Sequence, residues 1–252
     1  MALVFGKYKV FIVLHTGLIY LWTILSTFTM GLTAILVSFF SKTGDGVHLV
    51  ARWWGRSLLW ACCIPIRVAG LEHIDPARSC IYMSNHQSNF DIPVLLSRLP
   101  VQFRWLAKAE LFRIPIFGRG MRGAGYISID RSNRKSAFHS LARAAESIRK
   151  GTSVLIFPEG TRSRDGRLQP FKKGGFVLAV DAGVPIVPII IQGTDAMMPK
   201  GSLLIRRRTV RVDIRPPIPT CGYDRRSKDA LMEKVWSVMA EQLPTQSGGP
   251  HA

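Results

Sequence analysis

Acidic residues are scarce in this chain: 16 Asp plus Glu stand against 34 Lys plus Arg in 252 residues, a formal net charge of +18. That imbalance points away from cationic partners and toward anionic ones: nucleic acid, anionic lipid or a phosphorylated small molecule. Between Val10 and Ser41 there is no Asp, Glu, Lys or Arg at all. A secretory signal fits that run poorly, because its apolar region spans only about 7–15 residues. The four cysteines, Cys62, Cys63, Cys80 and Cys221, form no C-x-x-C pair. Zinc is therefore not indicated, and we expect reduced, structural thiols in a cytosolic compartment. A G-x-S-x-G nucleophile elbow is also missing, as is any internal repeat. The aromatic residues cluster in apolar segments and not among the basic runs, so no platform for stacked bases is visible and nucleic acid is not expected as a partner.

What is present is apolar and basic together. Hydrophobic residues make up 47% of the chain, and the mean hydropathy is +0.16. That is enough for a sizeable core, and it favours a membrane surface. The uncharged run is 32 residues long, with Lys7 and Lys9 before it and Lys42 after. One upright span needs roughly 20 residues, so the run is long for one crossing and short for two. Basic flanks on both sides prefer the cytoplasmic side. We therefore expect a helical hairpin dipping into one leaflet over residues 1–45, turning near Ser26 to Gly31, with one tilted span as the alternative. Residues 46–69 carry Trp53, Trp54 and Trp60 among Arg52 and Arg56. That mixture suits a helix at headgroup depth or one packed on the domain.

From residue 70 to 244 the pattern alternates between short apolar runs and amphipathic stretches. Runs at 80–83, 103–107, 126–129, 154–157, 184–191 and 209–214 read as strands. Ala137, Phe138, Leu141, Ala145 and Ile148 lie on one face of a helix over 134–149, and another helix is expected at about 227–242. This predicts an α/β domain with a mixed, largely parallel sheet flanked by helices. Residues 245–252 read as a disordered tail.

Polar residues collect where the strands stop. His86 follows the strand at 80–83, and Asp91 comes five residues later, just before a helix. A carboxylate there can hold one imidazole nitrogen and leave the other free to take a proton, although the same residues also make ordinary turns and N-caps. Lys108 to Gly118, Asp130-Arg131 and Glu159 to Arg162 follow other strands. Loops of this kind converge on one crevice in α/β folds. Gly160 permits close backbone approach to a ligand, and Arg162 offers a forked donor to phosphate. The alternative readings are a surface ion pair of Arg162 with Glu159 or Asp165, a solvated helix end for Lys108, and a salt bridge of Arg131 with Asp130 or Asp165.

Taken in order, Asn85-His86-Gln87-Ser88-Asn89-Phe90-Asp91 resembles the H-x-x-x-x-D motif of the glycerolipid acyltransferases. Lys108-x-Glu110-Leu111 with Pro115 and Gly118 is similar to their second block. Phe157-Pro158-Glu159-Gly160-Thr161-Arg162-Ser163 resembles the third, and Val184-Pro185-Ile186-Val187-Pro188 the fourth. The branch it resembles is the bacterial-type 1-acyl-sn-glycerol-3-phosphate acyltransferase family, whose N-terminal two-helix membrane element agrees with the hairpin read above. The resemblance implies an enzyme of phospholipid biosynthesis making phosphatidic acid on the cytoplasmic face of a bacterial-type inner membrane. It implies His86 as general base and Asp91 as its orienting carboxylate. Substrate binding would fall to Glu159, Gly160, Thr161, Arg162, Lys108 and Arg131, with Glu159 orienting Arg162 or bonding the glycerol. Ser88 is a weak candidate for a nucleophile. The expected partners are lysophosphatidic acid, acyl-CoA or acyl carrier protein, and anionic membrane lipids; no metal or cofactor is implied. Another lysophospholipid, a lyso-ornithine lipid or glycerol 3-phosphate remains open as acceptor, and a non-enzymatic basic membrane-binding protein is the reading from another class.

Overall fold

The computed structural model describes residues 2–130, 133–245 and 249–250. The chain begins with helices α1 (Ala2–Ser38) and α2 (Asp45–Ala61) and strand β1 (Ile66–Ala69). Strand β2 (Ile81–Ser84) leads into α3 (Asp91–Arg98), and β3 (Arg104–Lys108) into a 3-10 turn at Ala109–Arg113 and α4 (Phe117–Gly123). Next come β4 (Ile127–Ile129), α5 (Arg134–Arg149), β5 (Val154–Ile156), α6 (Gly174–Ala182) and β6 (Ile186–Gln192). The short α7 (Thr194–Met197), β7 (Val210–Ile214) and α8 (Lys228–Ala240) complete the order.

Among the described residues the strands form one sheet, ordered β1-β7-β6-β2-β5-β3-β4. Every neighbouring pair is parallel except β6–β7. Both faces are covered, so the central strands read as near-continuous apolar runs. In β2 all four residues are buried. Tyr82 faces the core shared with Leu59 of α2 and Leu95 of α3. Ile81 and Met83 face the opposite core, with Ala145 of α5, Phe176 of α6 and Met232 of α8. The strand order puts β2 in the middle of the sheet, and the loop beyond its C-terminal end is where a crevice forms in such sheets.

The N-terminal element differs from expectation. The helix runs unbroken through Ser26 and Gly31, and the turn falls instead at residues 39–44, so the two-helix unit is α1 with α2. Two local features accompany the unbroken course of α1. The hydroxyls of Thr23, Thr29 and Thr33 donate to carbonyls four residues back, at 2.7, 2.9 and 3.0 Å, so these polar groups are satisfied within the helix. Gly31 is a notch: a Cβ there would stand 2.6 Å from Ile116 Cγ2. Ile116 itself sits at φ +63 in a turn closed by the Phe117 N–H donating to the Pro115 carbonyl at 2.6 Å, a strained conformation for a β-branched residue that α1 packs over.

From Ile12 to Ser38 α1 carries no Asp, Glu, Lys or Arg on any side, but among its described side chains only one side meets protein. Thr16, Ile19, Ser26 and Ala34 are buried, whereas Leu14, Leu18, Leu21, Leu25, Phe28, Leu32 and Leu36 are exposed along the opposite stripe. The stretch Ile12–Ser38 is long and apolar enough to cross a membrane, with mean hydropathy 1.6. The segment expected as one interfacial unit over 46–69 is two elements, because α2 ends at Ala61 and β1 follows. One face of α2 packs on α3, where Gly55 brings the backbones together: an added Cβ would meet the Pro93 carbonyl oxygen at 3.0 Å. The other face exposes Leu49, Trp53 and Trp60, with the Arg56 guanidinium 5.1 Å from the Trp53 ring.

Candidate active site

The end of β2 is locked before the chain turns. The Asn85 side chain accepts from the Ile191 N–H at 2.7 Å and donates to the Ile191 carbonyl at 2.9 Å, extending the ladder to β6 by one side chain. His86 is then free to leave the sheet. Asp91, the first residue of α3, is fully buried and receives four donors. Its Oδ2 accepts from His86 Nδ1 at 2.7 Å and from the main-chain N–H groups of Gln87 and Ser88 at 2.7 and 2.8 Å. Its Oδ1 accepts from the Thr194 hydroxyl at 2.5 Å. An ionised carboxylate only accepts, so Nδ1 of His86 carries the proton and Nε2 keeps its lone pair. The ring stacks on Phe157, centroids 3.9 Å apart and 9° between planes, and Phe157 stacks in turn on Trp105. The His86 side chain is 14% exposed and lines a cavity. An imidazole so held can take a proton from a hydroxyl group and return it.

Glu159 does not meet Arg162. It is buried, its Oε1 accepts the His86 N–H at 2.6 Å, and its Oε2 accepts the Gln169 N–H at 2.9 Å. Burial pushes its carboxyl up to about 8; the two amide donors oppose this and the nearby Asp91 charge adds to it. Glu159 thus clamps the loop after β5 to the backbone of His86, and the Ser163 N–H adds a second tie by donating to the His86 carbonyl at 2.8 Å. Within that loop Gly160 takes φ +73, closing a turn onto the Phe157 carbonyl at 3.1 Å. A side chain would strain that conformation.

The cavity measures about 320 Å³. His86, Gly160, Thr161, Arg162 and Lys108 contribute to its wall, so five of the expected site residues come together there. The rest of its lining is mostly apolar and comes from α1, α2, α3, α4, β3 and the loops beside them, including Met30, Trp54, Leu96, Trp105 and Met121. The Arg162 guanidinium makes no ion pair among the described residues, neither with Glu159 nor with Asp165. Lys108 lies at the rim, paired with Glu110 at 2.9 Å and largely exposed. Arg131 lies outside the described residues. The Ser88 hydroxyl is buried and donates to the Met198 carbonyl at 2.9 Å, which removes it as a nucleophile aimed at a ligand. Among the described residues no group of three or more His, Cys, Asp or Glu is placed to hold a metal ion.

Three contributors were not read from the sequence. Thr194 reaches Asp91 from 103 positions away. Phe157 supplies the stacking face for His86. The Lys200 ammonium donates to the Arg162 carbonyl at 2.7 Å and to the Thr161 hydroxyl at 3.3 Å, adding a cation behind the loop. Only Phe157, adjacent to the Pro-Glu-Gly turn, carried a local signal.

Comparison with known proteins shows the family. The acyltransferase family profile matches residues 65–192. A chloroplast 1-acyl-sn-glycerol-3-phosphate acyltransferase of Brassica napus is 41% identical over 198 residues, covering 78% of this chain and 56% of that protein. A 1-acyl-sn-glycerol-3-phosphate acyltransferase of Pseudomonas aeruginosa is 32% identical over 247 residues, covering 94% and 95%. The crystal structure of PlsC, the 1-acyl-sn-glycerophosphate (LPA) acyltransferase of Thermotoga maritima, superposes with a TM-score of 0.79 at 28% identity, covering 92% of this chain and 95% of that one. The chain belongs to the acyltransferase family. Within it, the chain is a member of the 1-acyl-sn-glycerol-3-phosphate acyltransferase family. It spans little more than half the length of the chloroplast relatives, 56% and 54% for those of Brassica napus and Arabidopsis thaliana.

Proposed function

We propose that the protein transfers a fatty acyl group from a thioester, acyl-CoA or acyl carrier protein, to the sn-2 hydroxyl of 1-acyl-sn-glycerol 3-phosphate, giving phosphatidic acid. The observation that carries this reading is the His86–Asp91 pair at 2.7 Å opening on a cavity with a cationic rim and an apolar wall. Nε2 of His86 takes the hydroxyl proton as the oxygen attacks the thioester carbonyl. The tetrahedral adduct then breaks its C–S bond, and the departing thiolate takes that proton back from the imidazole. General-base help of this kind contributes about 10²–10⁴ in rate. No acyl-enzyme is required, because the thioester is already activated. Arg162, with Lys108 at the rim, holds the substrate phosphate through charge-assisted hydrogen bonds. The apolar wall takes acyl chain.

The protein works at the membrane, and α1 lies along one leaflet without crossing it. Its contacts with the domain run from Thr16, bonded to Ile205, through Thr27, bonded to Trp54, to Ala34 beside Val47 and Ala124. At 1.5 Å per residue that is about 27 Å of helix attached sideways to protein, close to the ~30 Å of a bilayer core. A crossing helix would drag the domain's charged surface into hydrocarbon. Lys7, Lys9 and Lys42 favour the cytoplasmic side. The test is acyl transfer by the purified protein to a panel of acceptors with each donor type. Phosphatidic acid as the main product supports the reading. Preference for an acceptor without phosphate removes Arg162 and Lys108 from their role.

A further inference from the structure

The segment joining α7 to β7 has a composition unlike the rest of the surface. From Ala196 to Val212 there is no acidic residue, but there are five cations: Lys200, Arg206, Arg207, Arg208 and Arg211. Between them stand Leu203, 75% exposed, and Leu204, 37% exposed. The three consecutive arginines are exposed and make no ion pair among the described residues. Adjacent like charges with no acidic partner repel one another and await an anion.

This segment is not loose. The Arg206 N–H donates to the Met197 carbonyl at 2.9 Å, and the Leu204 N–H to the Ser202 hydroxyl at 3.2 Å. It is bonded to α1 at two successive turns: the Ile205 N–H donates to the Thr16 hydroxyl at 3.1 Å, and the Tyr20 hydroxyl donates to the Leu203 carbonyl at 3.1 Å. Beside those attachment points α1 exposes Leu14, Leu18 and Leu21. A membrane that wets this stretch of α1 therefore meets Leu203 and Leu204 at the same level. The arginines follow directly and fix the depth. A guanidinium at the bilayer centre is costly, so the segment settles where leucines enter the acyl boundary and arginines reach phosphate.

We propose that residues 199–208 form a second membrane contact, which docks on anionic lipid headgroups and sets the depth of the active-site loop. It rests on the reading of α1 as a lipid-facing helix. Its connection to the site is direct: Lys200 holds the Arg162 carbonyl, and the Met198 carbonyl receives the Ser88 hydroxyl. Docking of the arginines thus places the phosphate-binding end of the cavity at the plane where lysolipid phosphates lie.

The test uses the full chain with Cys63→Ser and Cys221→Ser, Leu203→Cys labelled with an environment-sensitive fluorophore, on vesicles of phosphatidylcholine alone or mixed equally with phosphatidylglycerol. The expected result is a blue shift and quenching by bilayer-borne quenchers, stronger on the anionic vesicles. Arg206→Gln/Arg207→Gln/Arg208→Gln should lower the preference for anionic over neutral vesicles by about fivefold per arginine. It should also abolish stimulation of acyl transfer by phosphatidylglycerol while leaving transfer in detergent micelles unchanged. Aqueous emission on both vesicle types, or a triple variant that keeps its anionic preference, overturns the proposal. A shifted label on a protein that transfers no acyl group keeps the proposal and sinks the enzymatic reading instead.

Discussion

Changing Glu159 to Gln separates a clamp from a ligand. Glu159 is 2% exposed, and each of its carboxyl oxygens accepts one main-chain N–H, from His86 at 2.6 Å and from Gln169 at 2.9 Å. Glutamine keeps the length and volume but offers one carbonyl oxygen and one NH₂ group. One of the two buried amides then faces a donor, at a cost of about 1–3 kcal/mol. The pH dependence gives the sharper signature. Burial raises the Glu159 carboxyl from its ordinary 4.5 to about 8 in the folded protein. A folded-state value above the unfolded one means that stability from this group is fully present below about 4.5 and is lost as pH rises through about 8, a span on the order of 5 kcal/mol. Glutamine does not titrate. Chemical denaturation in detergent, followed by tryptophan fluorescence at pH 5, 7 and 8.5, should find Glu159→Gln less stable than wild type at pH 5, with the gap closing or reversing by pH 8.5. A gap that stays constant across that range, or a variant more stable than wild type at pH 5, would refute the reasoning.

Three further outcomes follow from the same contacts. Asp91→Asn should retain the fold by circular dichroism, since an amide can still accept from His86 and donate to Thr194, but turnover should fall by about 10²–10⁴. Arg162→Ala should raise KM for lysophosphatidic acid about 10- to 100-fold, the loss of a charge-assisted hydrogen bond, with partial recovery in Arg162→Lys and no effect on a phosphate-free acceptor. Ser88→Ala should cost about 1 kcal/mol of stability and leave turnover within a few-fold of wild type; a hundredfold loss would restore Ser88 as a nucleophile.

The interior of the sheet was legible because its strands are buried on both faces. Runs such as Ile81 to Met83 and Val154 to Ile156 are apolar without interruption and end in polar turns. The partnership of His86 and Asp91 was legible because it is local: a strand-to-helix junction holds both within five residues. β1 escaped notice: four residues at a sheet edge, alternating Ile66 and Val68 inward, carry little signal next to the helix before them. The antiparallel β6–β7 pair and the reach of Thr194 are long-range facts with no local trace. The course of α1 was misread because Ser26 and Gly31 suggest a turn only until Ile116, which fills the glycine notch, is known. Glu159 was misassigned as a ligand because the sequence does not reveal that both its oxygens are taken by main-chain amides.

The most direct measurement is the rate of phosphatidic acid formation from lysophosphatidic acid by wild type beside His86→Ala, with folding of both monitored in the same preparation. Loss of about 10²–10⁴ in rate in a folded variant is the predicted result. A folded His86→Ala protein that turns over at the wild-type rate would contradict the assignment of the imidazole as the base.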